Sequence, residues 1–380
     1  MPANPTARYI DRANEADEFL EGLQGVSEIA LDTEGASYHR FLDRIYLLQI
    51  STRAADIIID PLAAGPLPGI SSILADPRTE VVFHDADYDL RLLRQDYGVR
   101  AMNIFDTRVA AQLLGIRSFG LAALLDKYFG VQLQKKFQRA DWSLRPLTQG
   151  MLEYAVLDTH YLLPLRDRLK DELVQLGRWE WAREEFGRVE AEHAAAEADD
   201  PTAAFFRVKG ARDLTRRELA ILRELVPWRD GVARRLDRAT FRVAGNDILL
   251  EIARTRPHSI DELSRIRIVP RVLVERSGRD ILDAVAAGEA VPESDLPRFP
   301  RGQRWAKDPD YESRVDELRR IRESAATRLG MDPGVLCSRD RLEAIARTQP
   351  RTLDDLREVP GVRNWQIEAL GPDLLAYLGR

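Results

Sequence analysis

The second half of the chain repeats itself without a gap. Ile252-Ala253-Arg254-Thr255 returns as Ile345-Ala346-Arg347-Thr348, each followed two positions later by proline, at an offset of 93 residues. The same offset aligns Arg229 with Arg322, Ala233 with Ala326, Leu236 with Leu329, Asp261 with Asp354, Leu263 with Leu356, Gly278 with Gly371 and Asp280 with Asp373. One register held over so long a stretch means two copies of a single supersecondary unit, each burying its own apolar face. The pattern there is almost entirely helical. Two small helical-bundle domains are therefore expected at residues 207–290 and 308–380, joined by a linker over residues 291–307 that contains the proline-rich stretch Val291–Arg301.

Residues 1–190 read differently. Ser27–Asp32, Arg44–Ser51, Asp56–Asp60 and Glu80–Phe83 are short β-rich runs bounded by turn residues. Helical patterns follow at Tyr88–Asp96, Thr107–Leu114 and Leu121–Phe129, the last closed by Gly130, and a long helix opens near Thr148 as N-cap. This mixture predicts an α/β domain, a sheet flanked by helices. The polar, alanine-rich stretch Glu190–Pro201 then reads as a helix end running into a linker over residues 191–206.

A chain of 380 residues suits two or three domains. It has no apolar run near the ~20 residues that span a bilayer and no basic-then-apolar leader, so a cytoplasmic protein without membrane contact is expected; the sequence leaves the oligomeric state open, with a monomer favoured. The lone Cys337 rules out an internal disulfide and a cysteine zinc site. The net charge of −6 conceals an asymmetry. Residues 1–200 hold 22 Lys and Arg against 33 Asp and Glu, and residues 201–380 hold 34 against 29. Chemistry in an acidic half and polyanion contact in a basic half would produce this split, and so would ordinary variation between domains.

Three segments of the first domain place acids where phosphodiester hydrolysis needs them. Asp32 and Glu34 are two apart at a strand end and project from one face. Asp89 opens a helix after the strand Glu80–Phe83. Tyr154 and Asp158 are four apart on a helix and share a face. Cleaving a phosphodiester calls for an activated water, a stabilised leaving oxyanion and charge neutralisation, which two divalent cations roughly 3.5–4 Å apart provide. Hard cations such as Mg²⁺ or Mn²⁺ take carboxylate oxygens rather than Cys or His. Each piece alone is commonplace, as a solvated turn, a helix cap or a half-buried helix face.

Their order, spacing and neighbours carry more. Leu31-Asp32-Thr33-Glu34, Phe83-His84-Asp85-Ala86-Asp87-Tyr88-Asp89-Leu90 and Tyr154-Ala155-Val156-Leu157-Asp158 resemble the three exonuclease motifs of the DEDD family, tyrosine subclass. Asp106-Thr107, Gly120-Leu121, Asp141-Trp142, Arg145-Pro146-Leu147-Thr148 and Tyr161–Leu165 extend the resemblance to ribonuclease D, and the repeated unit is similar to the HRDC domain. The resemblance implies a ribonuclease H-like fold with a mixed sheet. It also implies a 3′→5′ exoribonuclease that releases nucleoside 5′-monophosphates from RNA with a free 3′ end, such as tRNA precursors and other small structured RNAs. By motif, Asp32 would bridge two metals, Glu34 and Asp158 would complete the site that holds the nucleophilic water, and Asp89 would hold the second metal. Tyr154, a phenol with a pKa near 10, would orient the attacking water rather than deprotonate it.

The chain departs from that pattern at Gly35, where the family commonly has a bulky residue. Tyr38 or Phe41 would then supply a stacking face for the terminal base, or else only cover the core. Lys135, Lys136 and Arg139, just before the Tyr154 helix, are candidates for phosphate contact or for a solvated loop. Trp142 is expected in the core, and His84 as a structural hydrogen-bonder. A DNA 3′→5′ exonuclease and a non-catalytic RNA-binding scaffold are the competing readings.

Overall fold

The computed structural model of the protein describes residues 6–133, 135–195, 201–300 and 308–379. Among these, six strands form one mixed sheet: β1 (Arg8–Ile10), β2 (Glu28–Glu34), β3 (Leu47–Ser51), β4 (Asp56–Ile59), β5 (Glu80–Phe83) and β6 (Ile104–Asp106). The spatial order is β1-β4-β3-β2-β5-β6. β3 runs antiparallel to both β2 and β4, and the remaining pairs are parallel. The β-branched run of β4 and the fully buried β3 suit strands covered on both faces.

The helices of this part are α1 (Ala13–Gly22), α2 (Pro61–Ala64), α3 (Gly69–Leu74), α4 (Asp87–Tyr97), α5 (Thr107–Leu113), α6 (Leu121–Phe129), α7 (Gln149–His160), α8 (Leu162–Gln175) and α9 (Trp179–Ala195). Three details differ from the sequence expectation. The strand at Arg44 begins only at Leu47; β1 and β6 carry no sequence signal at three residues each; and the long helix from Thr148 is three helices, broken at Tyr161 and Gly177. The expected linker also starts later, because α9 runs to Ala195 and residues 196–200 lie outside the described residues.

The repeat is visible in the backbone. The first copy contains α10 (Arg216–Leu236), α11 (Thr240–Val243), α12 (Asn246–Thr255), α13 (Ile260–Arg265) and α14 (Arg271–Ala290). The second contains α15 (Tyr311–Leu329), α16 (Pro333–Leu336), α17 (Arg339–Thr348), α18 (Leu353–Arg357) and α19 (Asn364–Leu378). Four of the helix starts differ by the sequence offset, and so do the left-handed residues Arg256 and Gln349 that close α12 and α17. Gly278 and Gly371 do the same work in each copy. A Cβ on Gly278 would meet Ile260 Cδ1 at 2.6 Å, and one on Gly371 would meet Leu353 Cδ2 at 2.9 Å. The glycine lets α14 close on α13, and α19 on α18.

The chain forms two compact units, each gathered from non-contiguous segments. In the first, the sheet domain and the second helical copy share one hydrophobic core. Trp365 of α19 stacks on Trp181 of α9 with ring centroids 5.1 Å apart, and its indole donates to Glu185 at 2.8 Å. Glu184 accepts from the Asn364 and Trp365 backbone N–H groups, capping α19. Gly115 must be glycine here: its φ is +78°, and a Cβ would sit 1.9 Å from the Gly330 carbonyl oxygen.

The second unit holds the first helical copy with its own core, together with the short segment Ala36–Arg44. No helix among the described residues is long and apolar enough to cross a membrane.

Candidate active site

β2 alternates Ile29, Leu31 and Thr33 on one face with Ala30, Asp32 and Glu34 on the other. The antiparallel partner β3 sets Gln49 directly across from Asp32 and Ser51 across from Ala30, so these side chains share the acidic face. α7 crosses that face. The Ser51 and Thr159 hydroxyls are hydrogen-bonded at 2.7 Å and Asp56 meets His160 at 2.7 Å, which fixes the rotation of α7. That rotation aims Tyr154 and Asp158, one turn apart, at the end of β2. The Thr148 hydroxyl caps α7 by accepting from Met151 N–H at 3.3 Å.

The start of α7 is tied to the sheet through Arg145. Its guanidinium grips both oxygens of Asp60, which is 1% exposed, and also donates to the Tyr46 and Trp142 carbonyls. Burial raises the Asp60 pKa, but the hydrogen bonds from Arg145 and Tyr9 more than offset this and leave it below the ordinary carboxylate value.

Carboxylate oxygens of Asp32, Glu34 and Asp158 lie within 4.8 Å of one another. Asp89, at the third position of α4, stands beside this triangle. Its Oδ1 accepts from the Thr33 backbone N–H at 2.8 Å and from the Thr33 hydroxyl at 2.6 Å. Thr33 thus locks the second acidic segment to the first. The loop before α4 is held by Asp106, whose carboxylate accepts from the N–H groups of Asp85, Ala86, Arg108 and Val109.

The acids raise one another. Burial first, and then the charge of Asp158, hold Asp32 well above the usual carboxylate range. Glu34 is raised by burial and by Asp32, Asp158 and Asp89, while Asp89 is raised by burial and by Asp32 against the two bonds from Thr33. Burial pushes Asp158 up to about 8, opposed by a hydrogen bond from Tyr154. The Tyr154 phenol is pushed far up by burial and by the same carboxylates, so it stays neutral. Without cations these carboxyl groups cannot all ionise. An all-oxygen donor set with this repulsion fits a divalent cation.

A cleft of about 580 Å³ opens at these acids, lined also by His84, Tyr88, Leu121 and Gln138. Phe137 and Trp142 pack on Tyr154 with ring centroids 6.0 and 6.1 Å away, and Trp142 is buried as expected. His84 makes a hydrogen bond to Thr107, the kind of contact expected of it, and its ring also lines the cleft. Thr107 gives its hydroxyl proton to the Phe83 carbonyl at 3.0 Å, so the 2.9 Å contact with His84 is donated by Nδ1–H. Nε2 is left as an unprotonated acceptor, and burial lowers the imidazole pKa and keeps it neutral.

The expected substrate contacts are placed less uniformly. Lys136 is exposed with its ammonium 5.3 Å from the Phe137 ring, Arg139 is exposed in the following turn, and Lys135 opens the short 3₁₀ turn Lys135–Phe137, its side chain outside the described residues. Tyr38 and Phe41 lie in the segment that packs with the first helical copy. Tyr38 meets Phe241 edge-on at 5.5 Å, and the Arg234 guanidinium sits 5.2 Å over Phe41. Thr33, Tyr88 and Gln138 carry no individual signal in the sequence. The adjacency of Thr33 and Tyr88 to motif acids is the only sign of them there.

Residues 7–174 match the 3′–5′ exonuclease domain family, and residues 218–285 and 312–378 each match the HRDC domain family. The ribonuclease D of Desulfotalea psychrophila is 31% identical over 343 residues, covering 89% of this chain and 90% of that protein. The chain belongs to the ribonuclease D family. The ribonuclease D of Granulibacter bethesdensis is 28% identical across 98% of this chain and 92% of its own length. The crystal structure of Escherichia coli RNase D, an exoribonuclease involved in structured RNA processing, superposes with a TM-score of 0.76 at 25% identity, covering 98% of this chain and 99% of that one. The chain is accordingly a 3′→5′ exoribonuclease with a ribonuclease H-like mixed-sheet domain and two HRDC domains.

Proposed function

We propose that this exoribonuclease hydrolyses the terminal phosphodiester of RNA bearing a free 3′ end, including tRNA precursors and other small structured RNAs, and releases nucleoside 5′-monophosphates. The carrying observation is the cluster of Asp32, Glu34 and Asp158 oxygens within 4.8 Å, with Asp89 fastened alongside by Thr33. Asp32, Glu34, Asp89 and Asp158 would hold two Mg²⁺ or Mn²⁺ ions, which when bound supply a metal-activated water and charge neutralisation at the phosphorus.

The protein's own groups do the rest. Tyr154, neutral and hydrogen-bonded to Asp158, directs its hydroxyl at the attacking water and fixes the water's line of approach. Phe137 and Trp142 hold the phenol ring in place. His84 Nε2 accepts a hydrogen bond from a ribose hydroxyl, and the 2′-OH that RNA offers as donor makes this a point of discrimination against DNA. Tyr88, which lines the cleft, would stack on the terminal base. Tyr38 and Phe41 are engaged with Phe241 and Arg234, which argues for the covering role over base stacking. Lys136 and Arg139, exposed beside the Phe137 wall, would meet the phosphates of the incoming strand, as would Lys135.

The test is a pair of 5′-labelled oligonucleotides, RNA and DNA of matching sequence, incubated with Mg²⁺ or with EDTA. The reading expects faster stepwise shortening of RNA from its 3′ end, with mononucleotide product, and none in EDTA. Preferential loss of DNA, or binding without degradation, contradicts it.

A further inference from the structure

Gln49, in the middle of β3, is 0% exposed, and neither its Nε2 nor its Oε1 has a hydrogen-bond partner. Among the described residues it is the only side chain with two buried polar atoms left unpaired. A buried amide gives up its bonds to water, and here nothing within the core replaces them. An apolar residue of the same length would fill the space without that cost.

The sheet register limits what the amide can reach. Gln49 is paired with Asp32 on β2 and with Ile58 on β4. Two positions along β3 in either direction stand Leu47 and Ser51. The side chains of Ile58 and Leu47 offer no polar atom. Ser51 is already bonded to Asp56 and Thr159, and Asp56 to His160. From α7, the buried polar side chains are Asp158 and Thr159, and Thr159 is committed to Ser51. The groups left for the amide are the clustered carboxylates, with Asp32 directly opposite.

Those carboxylates are unequally supported. Asp89 accepts two bonds from Thr33, and Asp158 accepts one from Tyr154. No donor offsets the burial of Asp32. An unpaired donor and an unsupported acceptor therefore face each other on adjacent strands, where opposed Cβ atoms are about 4.5–5.5 Å apart, a gap that a glutamine side chain spans. Carboxylates that ligate metal are held in orientation by such a further hydrogen bond. The amide is neutral, so it orients an acid without competing with cations for it, as Lys or Arg in its place would.

We propose that Gln49 is the positioning residue for Asp32: its Nε2–H donates to the Asp32 carboxylate when divalent cations are bound and fixes the orientation of that ligand. The inference rests on the reading of the four acids as the cation site. Gln49 acts only through Asp32. Left unpaired in the metal-free protein, its amide lowers stability there and gains a partner on loading, so it strengthens cation binding.

The experiment uses the full chain with Gln49→Met, which keeps the length of the side chain and removes both polar atoms. The melting temperature in EDTA is expected to equal or exceed that of the wild type. Mn²⁺ affinity, measured by titration calorimetry, is expected to fall about 10- to 100-fold. Affinity for a hairpin RNA with a single-stranded 3′ tail, measured in EDTA, is expected to match the wild type. A second measurement leaves Gln49 in place. In wild-type protein carrying ¹⁵N-glutamine, the Gln49 side-chain NH₂ signal, assigned by its loss in Gln49→Met, is expected to shift downfield on addition of Mg²⁺. Unchanged Mn²⁺ affinity in Gln49→Met, or an NH₂ signal indifferent to Mg²⁺, overturns the assignment and leaves the cation site standing. So does a melting temperature in EDTA well below that of the wild type, which makes Gln49 a structural core amide. A wild type that binds no Mn²⁺ overturns the cation site itself.

Discussion

Thr33 donates twice to a single oxygen of Asp89, from its backbone N–H at 2.8 Å and from its hydroxyl at 2.6 Å. The residue between the two acids of β2 thereby positions the acid of α4. Thr33→Val removes one donor and keeps the shape. Because such outer hydrogen bonds orient metal ligands, kcat or metal affinity is expected to fall about 10- to 100-fold with little change in Tm. A Mg²⁺ titration of the cleavage rate checks this, and wild-type behaviour would show that Asp89 needs no such support.

The clustered acids predict an unusual dependence of stability on pH. Asp158 is raised from the ordinary carboxylate value of 3.8 to about 8, so the folded protein holds its proton more tightly than the unfolded chain does. Between these values the folded state binds more protons, so the stability of the metal-free protein falls as pH rises. In EDTA, Tm is expected to drop from about pH 5 to about pH 8, and Mg²⁺ to restore it at the upper end. Asp158→Asn should remove much of the drop and most of the Mg²⁺ effect. Thermal melts of both proteins at each pH, with and without Mg²⁺, decide the point.

His84→Phe removes the Nε2 acceptor from the cleft and leaves the carboxylates in place. The ratio of RNA to DNA cleavage rates is expected to fall about tenfold, the scale of one hydrogen bond to a ribose hydroxyl. Using the ratio cancels any general slackening of the site. An unaltered ratio would assign sugar discrimination elsewhere.

Arg145 joins the start of α7 to the sheet through the buried Asp60. Arg145→Ala leaves that carboxylate without its main partner and is expected to cost about 3–5 kcal/mol in chemical denaturation. A cost below about 1 kcal/mol would mean that Tyr9 alone suffices for Asp60.

Much of the acidic cluster is legible in the sequence because its signals are local. Asp32 and Glu34 share a face through the two-residue period of a strand, and Tyr154 and Asp158 through one turn of a helix. The hydrogen bonds from Thr33 to Asp89 cross 56 residues and have no periodic trace. β1 and β6 are three residues each, too short for a pattern to emerge. The sheet domain and the second helical copy share a core because of long-range apolar contacts such as Trp181 with Trp365, and the repeat alone does not reveal this. The repeat shows which positions correspond. Only packing shows that Met331 faces a neighbour while Arg238 borders an open pocket.

The most direct measurement is Asp32→Asn in the intact chain, with 5′-labelled RNA cleavage and Mn²⁺ binding followed on the same preparation. The substitution keeps the size of the side chain and removes the charge at the centre of the acidic cluster. The account predicts cleavage reduced to background and Mn²⁺ binding greatly weakened, with the fold and the hairpin-RNA affinity preserved. Wild-type cleavage by Asp32→Asn would contradict it.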